Sequence, residues 1–99
     1  MTRTLQHIVK IGEAISHPLR LKLLHMLSER ERYVYDLAKE LNVSRQVLYL
    51  HLKRLESAGF VESDIRLEAD DLRAKKFFKL VDFEISLKIG DINKLFSDD

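Results

Sequence analysis

The stretch from Leu37 to Phe60 reads LAKELNVSRQVLYLHLKRLESAGF, and it is the part of the chain that decides the fold. Its pattern predicts two short helices joined by a tight turn. The run Asn42-Val43-Ser44 interrupts the helical spacing of the first. Asn tolerates the left-handed backbone of a turn, Val43 can enter the core, and Ser44 can cap the helix that follows.

The second of these helices has one apolar face and one polar face. Leu48, Leu52 and Leu55 recur at helical spacing, which predicts a single buried stripe. The other side carries no acidic residue before Glu56, and Gly59 then supplies a C-terminal stop. The polar side consists of Arg45, Gln46, Tyr49, Lys53 and Arg54. A helix that is held this way and is polar outward has the shape that a DNA major groove accepts.

The bulk composition limits the classes of protein that need to be considered. Ninety-nine residues predict one domain, and a charged fraction of 33% leaves a formal net charge of only +1. Global charge therefore gives no indication of nucleic-acid binding, whereas the local run from Arg45 to Arg54 holds three cations and no anion. The absence of cysteine excludes disulfides, iron–sulfur clusters and thiolate zinc sites.

Several other functional classes have no support in the sequence. Charges interrupt every apolar run, so no signal peptide or membrane span is expected, and a soluble cytoplasmic protein follows as the default. No glycine-rich phosphate loop, nucleophile elbow or catalytic carboxylate or histidine pair is present, so we expect no enzyme and no cofactor. The spacing of His7, His17, His25 and His51 fits no compact metal-ligand set, so no metal is expected either.

The periodicity of the remaining chain predicts a mainly α fold with a small β-hairpin wing. A first helix is expected over about 5–16, and a second begins at Pro18, whose missing N–H is harmless in a first turn. The helix-turn-helix occupies about 35–58. The period then becomes alternating, which predicts two strands of a wing over about 60–81. An apolar helical stripe over about 84–97 closes the single domain.

Three segments in this order resemble the ArsR-type winged helix-turn-helix repressors. They are ISHPLRLKLLHML (Ile15 to Leu27), VSRQVLYLHLKRLESAGFV (Val43 to Val61) and FFKL (Phe77 to Leu80). The resemblance spans nearly the whole chain. It implies a winged helix fold, binding to double-stranded DNA, and a homodimer formed through the first and last helices.

The chain departs from the family pattern at three places. Tyr33 and Tyr35 occupy the two thiolate positions of the metal-sensing branch, so that sensor site is missing. Tyr49 replaces a usual serine, and Leu50 stands where a polar residue is typical. The wing from 62 to 76 has five acidic residues against four basic ones, so its bases would need to face the phosphates and its acids would need to turn away.

The candidate DNA contacts lie on the second helix of the motif and on the wing. Arg45, Gln46 and Tyr49 are candidates for base edges, because a recognition helix reads DNA with its N-terminal residues. Phosphate contacts are expected from Ser44, His51, Lys53 and Arg54, although packing against the neighbouring helix is an equal alternative for His51. The wing offers Arg73, Lys75 and Lys76, whose alternative role is to keep an exposed hairpin soluble.

The first and last helices carry more apolar surface than one chain can bury. The candidate dimerisation residues are Leu5, Ile8, Ile11, Ile15, Ile85, Ile89, Ile92 and Phe96. Pairing with a second copy would bury this surplus. A twofold dimer would place two recognition helices about 34–36 Å apart, which is one turn of the duplex, and would read an inverted repeat.

These observations lead to a sequence-specific, DNA-binding transcriptional regulator that works as a repressor and does not sense metals through thiolates. The residues assign no effector. Two alternatives stay open at this stage. One is an architectural protein that coats DNA with little sequence preference, and the other is a winged helix used as a protein–protein adaptor.

Overall fold

The computed structural model describes residues 4–68 and 71–97 and confirms the mainly α fold with a β wing. In chain order the elements are α1 (Leu5–Ile15), α2 (Pro18–Glu29), β1 (Arg32–Tyr33), α3 (Val34–Leu41), α4 (Arg45–Ser57), β2 (Val61–Glu68), β3 (Asp71–Leu80) and α5 (Ile89–Leu95). The three strands form one antiparallel sheet in the order β1-β3-β2. None of the helices within the described ranges has the length and apolar character that crossing a bilayer would require.

The turn between α3 and α4 forms as its residue types predict. Asn42 adopts a left-handed conformation with φ 56° and ψ 47°. The Val43 N–H donates to the Ala38 carbonyl at 3.1 Å, which satisfies the end of α3. The Ser44 hydroxyl accepts a hydrogen bond from the Val47 N–H at 3.1 Å and so caps α4. The run Asn42-Val43-Ser44 therefore ends α3 and caps the start of α4.

The exit from α4 leads directly into the wing. Gly59 has φ +82°, a conformation that favours glycine, and the Phe60 N–H donates to the Leu55 carbonyl at 3.0 Å. Phe60 is buried, and its own carbonyl accepts from the Val81 N–H at 2.9 Å. This bond ties the start of β2 to the end of β3, so the wing has a fixed origin at the end of α4.

The core is a single cluster to which α1–α4 and the sheet all contribute. Leu48, Leu52 and Leu55 are completely buried, as their spacing predicts. The full cluster consists of Ala14, Leu23, Leu24, Met26, Leu27, Val34, Leu37, Ala38, Leu48, Leu52, Leu55, Ala58, Phe60, Val61 and Phe78. Because one side of α4 is sealed in this cluster, its opposite side has to face outward.

A buried arginine joins α4 to the two helices at the start of the chain. Arg20 on α2 is 8% exposed, and its guanidinium donates to the Ala14 carbonyl at 3.2 Å and to the Ser16 hydroxyl at 3.0 Å. A third bond of 2.9 Å joins Arg20 to Nδ1 of His51 on α4. Since a guanidinium can only donate, His51 Nδ1 accepts and its ring is neutral in this arrangement. The His17 ring lies beside it, with 4.8 Å between the centroids.

The outer face of the wing is fixed to the turn after α2 by an ion pair. Both terminal nitrogens of Arg66 donate to the Glu31 carboxylate, at 2.6 and 2.7 Å, and its guanidinium carbon lies 4.6 Å from the Phe77 ring centroid. The hydrogen bond from Arg66 lowers the pKa of Glu31. The pair is bidentate, so its geometry is well defined, and it links β2 to the turn between α2 and β1.

The last helix is shorter than the sequence period predicts, and its predicted start at Glu84 is wrong. Residues 81–88 are not helical, and α5 begins only at Ile89. The Phe83 ring stacks on Phe60 at 4.0 Å between centroids, so a tertiary contact fixes the chain where the local period favoured a helix. At the new start the Lys88 N–H donates to the Asp91 carboxylate at 3.0 Å.

The His51 contact makes stability depend on pH. Burial, with help from His17, Arg20 and Arg54, lowers the pKa of His51 below its ordinary value of 6.5. The unfolded chain therefore binds this proton more readily than the folded chain, so the free energy of unfolding is full above about pH 6.5 and falls as the pH drops through the lowered pKa. Chemical denaturation between pH 7 and 5.5 should show this loss.

The matched variant for this measurement is His51→Gln. Glutamine keeps an oxygen that accepts from Arg20 but does not titrate, so the free energy of unfolding should decline less over the same interval. The other three histidines are common to both proteins. Equal declines in the two proteins would show that His51 does not carry the effect.

Candidate nucleic-acid interface

The outward face of α4 is the main candidate surface for nucleic acid. Side chains advance by about 100° per residue around a helix, so the residues opposite the buried leucine stripe share one face. Gln46, Leu50 and Lys53 lie on this face, with Arg45 at its N-terminal edge, and all four are exposed. The structure thus brings three of the predicted contacts, Arg45, Gln46 and Lys53, to this side of α4.

Arg45 is supported by a residue that the sequence analysis did not select as a contact. Its guanidinium carbon lies 6.0 Å from the centroid of the Tyr35 ring, within the range of a cation–π contact. Tyr35 is on the first turn of α3 and is half exposed. The signal for this role was its place at the start of the helix-turn-helix, but only the approach of α3 to α4 made the contact evident.

Tyr33 and Tyr35 form an aromatic cluster at the base of the wing. Their rings stack at 6.0 Å between centroids, and the Phe77 ring lies 5.6 Å from Tyr33. The Lys75 ammonium is 5.4 Å from the Tyr33 ring. Among the side chains that the structure describes, no three histidine, aspartate or glutamate residues lie close enough together to hold a metal ion.

Two of the predicted phosphate contacts lie on the α1 side of α4 and are occupied by contacts within the chain. His51 is half-buried and carries the hydrogen bond from Arg20, which is the packing role that the sequence left as its alternative. Arg54 Nη1 donates to the Glu13 carboxylate of α1 at 2.7 Å. Arg54 remains half exposed, and exposed pairs of this kind contribute about 0–1 kcal/mol. The structure therefore places both residues at the flank of the outward face, beside α1.

Ser44 lies at the N-terminal end of the same face. Its hydroxyl already accepts from the Val47 N–H, so capping is its role within the chain, while the side chain stays exposed beside Arg45. The position fits a phosphate contact at the start of the helix, because backbone N–H groups also point outward there.

The wing lysines face opposite sides of the sheet. Lys75 lies on the outer side with Phe77 and Tyr33, whereas Lys76 lies on the inner side with Phe78 and faces α4. The Lys76 ammonium is 5.4 Å from the ring centroid of Tyr49 on α4. The third predicted wing contact, Arg73, lies outside the residues whose side chains the structure describes.

Leu50 is a surface residue that the sequence analysis noted only as a departure from the family pattern. It is 66% exposed and lies near the middle of the outward face of α4. An apolar side chain in a major groove can contact the methyl group of thymine. Its separation from the buried stripe by half a helical turn was the signal that could have identified it.

The predicted dimerisation residues divide into two groups. Ile11 and Ile15 pack against the core of their own chain, and Ile8 and Ile92 are half-buried. The exposed group consists of Leu5, Ile85, Ile89 and Phe96, with Ile89 and Phe96 exposed to 71% and 70%. No residue of α5 is buried.

Comparison with known proteins agrees with this geometry. Residues 17–63 match the family described as bacterial regulatory protein, arsR family. An uncharacterized HTH-type transcriptional regulator of Methanocaldococcus jannaschii is 45% identical over 92 residues, which cover 93% of this chain and 95% of the relative. The matched family segment contains the whole helix-turn-helix.

Solved structures of regulators share the architecture. HlyU from Vibrio cholerae is 29% identical with a TM-score of 0.62, and the match covers 83% of each chain. HlyU from Vibrio vulnificus is 30% identical with a TM-score of 0.57, covering 74% of this chain and 70% of that one. A possible transcriptional regulatory protein of Mycobacterium bovis has a TM-score of 0.65, covers 93% of this chain and 85% of that one, and is similar in fold at 24% identity. The chain therefore belongs to the ArsR family and is a transcriptional regulator with a winged helix-turn-helix DNA-binding fold.

Proposed function

We propose that this regulator is a homodimeric repressor that binds an inverted repeat in double-stranded DNA in the cytoplasm and occludes a promoter. It does so without enzymatic activity and without a thiolate metal sensor. The observation that carries the proposal is the outward face of α4. That face combines exposed donors, the exposed apolar side chain of Leu50 and no acidic residue before Glu56, and it is held rigidly by the leucine stripe behind it.

Each residue on this face has a chemistry suited to the major groove. Arg45 can donate two hydrogen bonds to guanine and Gln46 can form a pair with adenine, each worth roughly 1–3 kcal/mol of discrimination. Leu50 can contact a thymine methyl group. Lys53 and Ser44 are positioned for phosphates, which set the register of the protein on the duplex. This division assigns specificity to Arg45, Gln46 and Leu50 in the first two turns of α4, and affinity to Ser44 before them and Lys53 after them.

The exposed apolar surface of α5 supports a homodimer. The radius of gyration is 16.3 Å and the longest dimension is 59 Å, against about 13 Å expected for the radius of a compact chain of this length. A helix without a buried residue is poorly stabilised by itself in water, because its packing supplies most of its stability. A second copy that covers Ile89 and Phe96, together with Leu5 of α1, would supply that packing.

The cysteine-free chain supports a regulator that does not respond to thiophilic metals. Tyr33 and Tyr35 are stacked in an aromatic cluster at the positions of the thiolate ligands. A phenol is a hard oxygen ligand, so it is a poor ligand for soft ions such as cadmium or for arsenite.

The general test of this function is selection of bound fragments from random or genomic DNA, followed by footprinting. Protection of one inverted repeat, with centres about one duplex turn apart, would support the repressor. Continuous coverage as protein concentration rises would identify an architectural protein. The absence of salt-dependent retardation of any duplex would contradict DNA binding and favour a protein–protein adaptor.

Arg45→Ala should reduce discrimination at one base position, because a bidentate base contact is lost. The expected cost is about 1–3 kcal/mol on the selected site and little on random DNA. Lys53→Gln should instead weaken binding to all sequences alike and flatten the log–log salt dependence by about 0.9 per protomer. Lys22→Gln, an exposed lysine of α2, is the charge-matched control. If Arg45→Ala weakened binding to the selected site and to random DNA equally, Arg45 would be a phosphate contact and not a base contact.

Ile89→Glu should give monomers, because it places a charge in the middle of the proposed apolar interface. DNA binding should weaken steeply, since the two half-sites no longer act together. Sedimentation velocity measures the first effect and fluorescence anisotropy the second. Leu21→Glu makes the same change at an exposed leucine of α2 and should leave the assembly intact. An unchanged dimer in Ile89→Glu would reject the assigned interface.

Stoichiometric zinc, cadmium or arsenite should leave the protein bound to its DNA, because no thiolate is available. Fluorescence anisotropy of the complex during a metal titration provides the measurement. Release that a chelator reverses would reveal a metal site of a different kind.

A further inference from the structure

A narrow cleft separates the recognition helix from the wing. It has a volume of about 250 Å³ and is lined by Tyr49, Lys53, Glu56, Lys76 and Phe78. Two of these residues are cations, and they come from different elements: one from α4 and one from β3. The cleft opens beside the outward face of α4, so a duplex lying on that face would pass its opening.

The position of Lys76 follows from the alternation of β3. Phe78 is 2% exposed and points into the core, and residues two apart on a strand share a face. Lys76 therefore extends from the inner face of the sheet, towards α4, and is half-buried. A charge placed on that face needs a favourable environment, since burial of an unpaired ammonium is costly.

Two aromatic rings provide that environment. The Lys76 ammonium lies 5.4 Å from the Tyr49 ring centroid and 5.4 Å from that of Phe78, both within cation–π range. None of the described carboxylates forms an ion pair with Lys76. Glu56 also lines the cleft as an anion, and its carboxylate accepts from the Ser63 hydroxyl of β2 at 3.1 Å. The ammonium is thus held by rings and not by an ion pair, and with Lys53 it leaves one more cation than anions along the cleft.

An ammonium that is held by ring faces and has no ion-pair partner among the described carboxylates is suited to binding an anion. Ring faces attract the charge without using up the N–H donors, so these stay available for an oxygen ligand. A lysine side chain usually loses much rotamer freedom when it binds, and holding it in advance reduces that loss. Lys53 lines the same cleft one helical turn after Tyr49, which gives the anion a second cation.

We propose that Tyr49 is a positioning residue whose ring seats Lys76, so that the wing and the recognition helix together bind one phosphate of the DNA backbone through Lys76 and Lys53. The proposal rests on the proposed DNA-binding function and deepens it. In this proposal the aromatic ring of Tyr49 holds the Lys76 ammonium, and the Tyr49 hydroxyl is not required. Tyr49, which the sequence analysis placed among the base contacts, then acts through the wing.

The test is a double-mutant cycle read out by salt dependence. Because Lys53 remains at the same phosphate, Lys76→Gln should flatten the log–log dependence of affinity on salt by at most about 0.9 per protomer, the value for one phosphate, on the selected site and on random DNA alike. Between 50 and 200 mM salt the full value corresponds to about 3.5-fold less loss of affinity per protomer. Tyr49→Ser should reproduce most of this change, and the double variant should show little more than either single one. Additive effects would overturn the proposal, because they would mean that the two residues act independently.

The conservative variant separates the ring from the hydroxyl. Tyr49→Phe keeps the ring, so it should restore the salt slope that Tyr49→Ser loses. A Tyr49→Phe protein that keeps its slope but changes its preferred base sequence would overturn the proposal and assign Tyr49 to base reading. Because Tyr49 is about one-third exposed, all these variants are expected to fold, and thermal unfolding checks this.

A measurement without DNA tests the contact between the Lys76 ammonium and the Tyr49 ring directly. Ring currents should shift the NMR signals of the Lys76 side-chain methylene next to the ammonium upfield. This shift should shrink in Tyr49→Ser and persist in Tyr49→Phe, with Phe78 supplying the remainder. An identical shift in both variants would show that the Tyr49 ring does not hold the Lys76 side chain. Failure of the wild-type protein to bind any duplex would reject the proposed function itself, whereas normal binding with additive variants rejects only this inference.

Discussion

Burial of the leucine stripe on α4 is the constraint on which the rest of the structure depends. Leu48, Leu52 and Leu55 have no exposed surface, and each such burial contributes roughly 1.5–3 kcal/mol. Together they are comparable with much of the net stability of a domain, which is about 5–15 kcal/mol. Rotating α4 by even a third of a turn would expose this stripe. The rotational position of the helix, and hence the identity of its outward face, is therefore fixed by packing.

Polar contacts then set the angles at which the neighbouring elements meet this helix. Arg20 links the end of α1, the start of α2 and His51 of α4 through three hydrogen bonds, so a single buried guanidinium coordinates three helices. Phe60 performs the corresponding task at the other end of α4, where its backbone closes the helix and joins the wing. The outward face of α4 is consequently held in position by two buried residues, Arg20 and Phe60.

Aromatic rings have a recurrent role around this surface. Tyr35 lies against Arg45, Tyr33 against Lys75, and Tyr49 against Lys76, so three of the candidate DNA cations rest on tyrosine rings. The two positions that hold thiolates in metal-sensing relatives belong to this set. A chain whose net charge is only +1 thus holds individual cations against aromatic rings, on α4 and on both faces of the wing, without relying on a general excess of positive charge.

Local signals in the sequence determined the helix-turn-helix, its caps and the existence of the wing, because Asn42, Ser44 and Gly59 act through their own backbone conformations and nearest neighbours. Tertiary structure alone decided the start of α5, where the stacking of Phe83 on Phe60 replaced five residues of expected helix. It also decided that His51 accepts a hydrogen bond from Arg20 and that Lys76 lies over the Tyr49 ring. Those pairs are separated by 31 and 27 positions, and sequence periodicity gives the face of each element but not the residue that comes to lie against it.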